Sequence, residues 1–467
     1  MKFSIREISL YERDVRLRMP FRFGVVTLTQ APQAFVRARI RLANGKEAEG
    51  GAAELLAPKW FDKDPALTNE QNFEQLRASL RLAREAYLAS GENTAFGHSI
   101  DIYGPQIALA ATQGLNSLVA CYGPALIDRA VLDALCRALG ISFFKAISSN
   151  VTGITAPGWQ ADLMAFDMDE FLAGLKPRAT IAARHTVGLL DPLTAHEKKL
   201  DDGLPETLEE VIERYRHRWF KLKVSGELRA DIERLSAIAA VLDDSIGDPY
   251  RATLDGNEQF SDAEGAIRLW RAIGQQPELR RLASSIVYIE QPIRRSHALS
   301  GDISALAEAK PVIIDESDDS LEAFPRARRL GYSGVSSKTC KGIYKSILNA
   351  ARCRMWNMEE GRDRYFMSGE DLTVQAGLAL QQDLALVSLL GLSHVERNGH
   401  HYVDGMAGLP EAEQQKFLES HKDLYERRHG AVRLRIPGGM LEMKSLDAPG
   451  YASRVLPDWS SMRKANE

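Results

Sequence analysis

Lys221 and Lys223 share one face of the run WFKLKV (219–224), because side chains of a strand alternate and Leu222 between them points the other way. Further along, Asp255 ends RATLD, Glu290 ends SIVYIE, Asp315 ends PVIID and Lys338 ends SGVSSK. The three carboxylates are 35 and 25 residues apart, about one strand-plus-helix unit each. Hard oxygen donors of this kind suit Mg2+, which accepts a few carboxylates and keeps positions open for substrate. Zinc prefers histidine or cysteine, and neither type falls at these positions. The matching chemistry is removal of a proton α to a carboxylate. That proton is very weakly acidic, and a divalent cation on both substrate oxygens stabilises the enediolate that forms. A lysine beside another lysine and a metal ion should have its pKa lowered toward that of a working base. Lys223 and Lys338, on opposite sides of the triad, can act on opposite faces of the substrate. Lys221 serves as an electrostatic helper for the substrate carboxylate. Singly, an Asp after a strand is more often a helix cap or turn residue, and a Lys there a solvated edge residue. Five such groups at the same level of successive strands carry the reading.

The elements that must position them follow from periodicity. Eight short apolar runs, at 180–188, 219–224, 251–255, 285–290, 311–315, 333–338, 365–369 and 393–397, alternate with amphipathic helical stretches. This rhythm predicts a closed parallel barrel, with its chemistry at the C-terminal strand ends. An open doubly wound sheet would want a glycine-rich phosphate turn, and no GxGxxG or GxxxxGK[ST] is present. Before the barrel, residues 35–42 alternate as a half-buried strand and Asn44-Gly45 marks a hairpin turn. PFRFGVVTLTQAP (20–32) reads as a loop with two aromatics. Residues 67–150 read as helical; DRAVLDALCRALG (128–140) shows one apolar face with Gly140 as its stop. After residue 400 come a helix at about 410–425 and a strand-and-turn segment that can return to the first domain. The expected division is an α+β cap over 1–177, a barrel over 178–405 and a returning segment over 406–467.

Bulk properties exclude several classes. The 467 residues carry a formal charge of −4, which suggests neither a nucleic-acid nor an anionic-membrane partner. Four cysteines, none in a CxxC pair, favour a reducing compartment over a disulfide framework. The charged N-terminus has no apolar signal region, and no stretch approaches the roughly 20 apolar residues of a membrane span. A cytoplasmic protein is expected.

KLK (221–223), LDGN (254–257), IEQP (289–292), IDES (314–317) and SSK (336–338), taken in order, resemble the enolase superfamily, in particular its mandelate racemase–muconate lactonizing enzyme branch. The likeness runs from PFRFG and AEGGAAE (48–54) to HVERNGHHYVDGM (394–406). It implies a modified (β/α)7β TIM-like barrel with an N-terminal α+β capping domain completed by the C-terminal segment. It implies Mg2+ on Asp255, Glu290 and Asp315, with Lys223 and Lys338 as the acid/base pair. Such sites, with a lysine or histidine base and Mg2+, are a general pattern of that superfamily. Asn257 and Glu316, beside the metal triad, become substrate contacts. Phe21 and Phe23 become closing residues of a capping loop, and Glu396 an eighth-strand residue facing the pocket. A homo-oligomer is expected by analogy alone.

The chain departs from the pattern after Lys338, where only Gly342 stands in place of two glycines and Lys341 lies nearby. Glu370 and Asp371 sit near the seventh strand without an assigned role. His394, His400 and His401 fit no zinc spacing and read as solvated loop residues. Three functions compete: a racemase, epimerase or cycloisomerase acting on a small carboxylate; an acid-sugar dehydratase; and a barrel that binds a metal or ligand without catalysis.

Overall fold

The structure, a computed structural model, describes all residues except 24, 25, 157–159, 199, 466 and 467, and leaves the side chains of Phe23, Val26 and Ala161 undescribed. The chain begins with a long antiparallel meander: β1 (Phe3–Phe23), β2 (Val26–Leu42) and β3 (Glu47–Leu55). The predicted alternation of residues 35–42 is the C-terminal half of β2. Of residues 20–32, expected as a loop, the described ones extend this hairpin instead. Phe21 pairs with Leu28 across it and is buried.

Three helices follow, α1 (Asn69–Ala89), α2 (Ala95–Thr112) and α3 (Ser117–Leu139); α1 and α3 pack on this sheet, and α2 packs on those two helices. Asn116 caps α3 and Gly140, in the left-handed conformation at φ 68°, ends it where the sequence predicts. The expected single apolar face of α3 is not what the structure has. Nearly every residue of α3 is buried, Asp128, Arg129 and Asp133 included. The helix lies between the cap sheet and the loop after Lys338, so both of its sides are covered, and its polar groups are paired internally.

Eight parallel strands form the barrel: β4 (Thr180–Val187), β5 (Trp219–Lys223), β6 (Arg251–Asp255), β7 (Ile286–Glu290), β8 (Val312–Ile314), β9 (Gly334–Ser337), β10 (Phe366–Gly369) and β11 (His394–Glu396). Each pairs with the next, and β11 closes on β4 through His394–Ala182, Val395–Ala183 and Glu396–Arg184. All eight fall on the runs read from the sequence. Leu222, Leu254, Ile289 and Val335 pack outward into the helix layer, and the alternate positions face the lumen. The C-terminal segment adds Met440–Glu442 antiparallel to the start of β4. It ends with Arg463–Lys464 on β1 of the cap. Among the described residues no helix is long and apolar enough to cross a membrane.

Candidate active site

The ends of β5 through β9 meet in one buried polar cluster. Lys221 Nζ lies 2.9 Å from Asp255 Oδ2, 2.8 Å from Glu290 Oε2, 2.7 Å from Glu370 Oε2 and 3.1 Å from Glu396 Oε2. One ammonium thus bridges carboxylates from β6, from β7, from the residue after β10, and from β11. Lys223 Nζ donates to Asp255 Oδ2 and Asn257 Oδ1, both at 2.6 Å. On the far wall Lys338 Nζ donates to Asp315 Oδ2 at 2.6 Å and sits 4.3 Å from the centre of the Trp60 ring. Glu316 accepts from Asn257 Nδ2 at 3.2 Å, and its other oxygen is buried without a hydrogen bond.

The backbone around these groups is held in uncommon conformations. Asn257, Glu258 and Gln291 all have positive φ (40°, 70° and 32°), directly after the ends of β6 and β7. Gln291 repays this locally. Its Oε1 accepts from the amides of Asp315 and Ser317, and its Nε2 donates to Ser317 Oγ and Ile293 O. The tips of β7 and β8 are thereby fixed to one another. A Cβ on Gly256 would stand 2.6 Å from Pro292 Cα, so the approach of the β6 and β7 ends needs glycine there.

A cavity opens over the cluster, lined by Lys221, Lys223, Lys338, Asn257, Glu396 and Asn398, with Phe21, Leu28, Trp60 and Leu372 as apolar walls. The cap holds this lid down. Arg295 donates to the carbonyls of Trp60 and Phe61 at 2.7 and 2.9 Å, and Lys63 reaches Glu258 at 2.6 Å. Phe21 packs on Tyr402 with ring centroids 4.2 Å apart. Of the expected site residues, the structure brings together Lys221, Lys223, Lys338, Asp255, Glu290, Asp315, Asn257, Glu316, Glu396 and Phe21. Phe23 has its side chain outside the described residues. Lys341, the alternative to Lys338, is occupied by Ser336 O and Oγ at 2.8 Å and by Asp318 at 3.0 Å, behind the cluster.

Sequence reading missed several members of the site. Arg184 on β4 is fully buried and ion-paired with Glu370. It sits inside TIAARHTVG, where alternation alone marks it as lumen-facing. Glu370, left unassigned, belongs to the carboxylate nest of Lys221. Trp60 and Lys63 come from the cap, and no local pattern links them to a barrel site. Asp371 serves the backbone, accepting from the amides of Asn398 and Gly399 at 2.9 Å. The histidines read as solvated are not: His401 is buried, and His394 stacks on Trp219 at 3.8 Å between ring centroids. The helix Gly399–Tyr402 turns His401 inward against the barrel wall, and His394 sits on β11 itself.

The electrostatics are those of a crowded carboxylate centre. Burial pushes Glu290 well above the usual carboxylate range, and the charges of Asp255 and Glu370 add to it, outweighing Lys221. Against burial, Lys338 and Lys341 hold Asp315 below its ordinary value, and Lys221 and Lys223 do the same for Asp255. The lowered lysine pKa expected from the sequence is not found for Lys338. Burial acts in that direction, but Asp315 overrides it and raises the value.

These donors fit a hard divalent cation. All three triad groups are oxygen ligands, and Glu290 is a buried carboxylate repelled by its neighbours, a condition a cation relieves. In this structure the lysines serve as counter-ions: Asp255 and Glu290 turn to Lys221, and Asp315 to Lys338. The triad oxygens are accordingly not gathered as closely as the histidine group described below.

The family model described as "Enolase C-terminal domain-like" matches residues 203–458, more than half of the chain. Among solved structures, the muconate lactonizing enzyme from Pseudomonas fluorescens, complexed with muconolactone, is 20% identical, with 98% of both chains covered and a TM-score of 0.58. A dipeptide epimerase from Cytophaga hutchinsonii, complexed with Mg and the dipeptide D-Ala-L-Val, is 15% identical, covering 100% of this chain and 99% of that one at a TM-score of 0.59. The dipeptide epimerase from Enterococcus faecalis V583 is 14% identical, covering 97% and 99%, also with a TM-score of 0.59. Among proteins of curated function, none matches this chain in sequence.

Proposed function

Because this chain belongs to the enolase C-terminal domain-like family, in the mandelate racemase–muconate lactonizing enzyme branch of the enolase superfamily, we propose that it removes the α-proton of a small carboxylate substrate in a Mg2+-dependent reaction. The outcome we favour is racemisation or epimerisation, with cycloisomerisation the nearest alternative. One observation carries this reading. Lys223 extends β5 and Lys338 follows β9, four strands apart in a ring of eight, so the two ammonium groups face each other across one cavity. Two opposed bases are what a 1,1-proton transfer needs; a binding barrel has no use for them, and a dehydratase would use the second group only as the acid for the departing hydroxide.

Asp255, Glu290 and Asp315 would hold the Mg2+. Bound there, it would supply Lewis-acid stabilisation of the negative charge that develops on the substrate carboxylate. The chain's own groups do the rest. Lys221, anchored by Glu370 and Glu396, places a fixed positive charge beside the substrate carboxylate. Asn257 and Asp255 orient the Lys223 ammonium, and Asp315 and the Trp60 face orient Lys338. One lysine, as the free amine, takes the proton, and the other, as ammonium, returns one on the opposite face. Phe21, Leu28 and Trp60 exclude water above the reacting carbon.

Proton NMR in D2O with a panel of dipeptides, N-acyl amino acids and lactone-forming diacids tests the reading. The expected result is α-deuteration without loss of water. Formation of a 2-keto acid from a sugar acid, with no exchange in the panel, would replace it with the dehydratase.

A further inference from the structure

Outside the lumen, at the seam where β4 meets β11, a second group of buried polar atoms has no partners. His185 lies on β4 between Arg184 and Thr186. Those two reach into the lumen, to Glu370 and Glu396, so alternation sends His185 to the outer face. His217 lies just before β5, and His400 lies in the short helix after β11. Their ring centroids are 5.4, 5.6 and 5.6 Å apart. One ligand atom from each lies within 4.8 Å of the other two; among the described residues, this is the one set of His, Cys, Asp or Glu side chains so gathered.

Nδ1 of His185, Nε2 of His217 and both ring nitrogens of His400 are buried without a hydrogen bond of good geometry. Unpaired buried polar atoms are rare enough that several at one point call for an ion or a water. His217 is already set up as a ligand. Its Nδ1 lies 2.9 Å from the carbonyl of Ala183, to which it donates, and this leaves the Nε2 lone pair directed elsewhere. Burial lowers the proton affinity of all three rings, that of His217 to about 4, so they are neutral imidazoles, the form that binds metal.

We propose that His185, His217 and His400 form a three-histidine site for a divalent transition metal of the zinc class, separate from the carboxylate triad. Neutral imidazole suits Zn2+ and its neighbours Co2+ and Ni2+, while Mg2+ prefers the oxygen donors of the lumen. Bond lengths of about 2.0–2.1 Å in a tetrahedral site put ligand nitrogens about 3.3 Å apart, so each pair closes by at most about 1.5 Å. Three protein ligands leave a fourth position for water. The metal would join β4, the entry to β5 and the segment after β11, and so cross-link the barrel at its closing seam. The competing arrangement is a set of neutral imidazoles packed against one another, which binds nothing.

Full-length, untagged protein, held in excess Mg2+ to occupy hard oxygen sites, should be titrated with Co2+. The expected result is one equivalent retained through gel filtration. It should show the strong visible absorption of four-coordinate Co2+ and a raised Tm. His400→Phe keeps ring volume and removes a ligand whose nitrogens make no hydrogen bond of good geometry. It should keep the unliganded Tm but lose both the absorption band and the metal-induced Tm rise; His217→Gln should behave likewise. Wild type without the band, a weak six-coordinate spectrum only, or an unchanged band in His400→Phe would each overturn the site.

Discussion

At the scale of single residues, the two lysines separate function from architecture. Lys223 and Lys338 line the same cavity but answer to different carboxylates, Asp255 and Asp315. Replacing either by Ala should lower turnover by about 10²–10⁴-fold, the usual contribution of a positioned acid or base. The pattern of loss distinguishes chemistry from damage. With opposed bases, Lys223→Ala should abolish solvent exchange from one enantiomer and Lys338→Ala from the other. Equal loss from both enantiomers in both variants would argue against the assignment. The types and spacing of these residues were legible in the sequence because each ends an apolar run. The nest around Lys221 was not. Glu370 and Glu396 come from distant strands, and only closure of the barrel places them 2.7 and 3.1 Å from one ammonium.

At the scale of elements, a buried ion pair inside the cap meets the barrel through a single hydroxyl. Arg129 on α3 is fully buried, paired with Glu54 on β3 at 2.9 Å, while Thr339 after β9 lies 3.3 Å from the same carboxylate. Burial pushes Glu54 up to about 7 even with Arg129 beside it. Arg129→Met should cost about 3–5 kcal/mol in chemical unfolding, since it leaves a buried carboxylate without its partner. The C-terminal segment has a different sensitivity. His421 is buried between Ser445 and Arg454, and burial lowers its pKa from 6.5 to about 4. The unfolded chain therefore binds the proton more readily. The contribution of His421 is complete above about pH 6.5 and is lost as pH falls toward 4, by up to about 3 kcal/mol. Urea midpoints at pH 7 and pH 5 should differ less in His421→Gln than in wild type. Element positions were readable from periodicity. The neighbours of each element were not, as α3 illustrates: its sequence looks one-sided, and two packing layers bury it all round.

At the scale of the whole molecule, the lumen is a centre of buried negative charge balanced by lysines and one arginine. Burial and like charge hold Glu290 far above its ordinary pKa, so a divalent cation that binds there binds the folded state alone. Mg2+ at a hundredfold excess over its Kd should stabilise the protein by about 2.7 kcal/mol. Differential scanning calorimetry would read this as a rising Tm during titration, absent in Glu290→Gln. A wild-type Tm indifferent to Mg2+ would remove the triad as a divalent site.

The sequence by itself determined the eight barrel strands, the order of their charged ends and the family, because these are local properties: apolar runs, alternation and residue type at a boundary. Tertiary structure alone decided which groups meet. Phe21 and Leu28, in a segment that reads locally as a loop, pair only because β1 and β2 run on beyond the cap sheet. Trp60 and Lys63 reach the lumen only through the docking of the cap. His185, His217 and His400 are far apart in sequence and come together only because β11 closes on β4. A side chain's partners depend on closure and docking, and these are set by contacts between segments that carry no local signature.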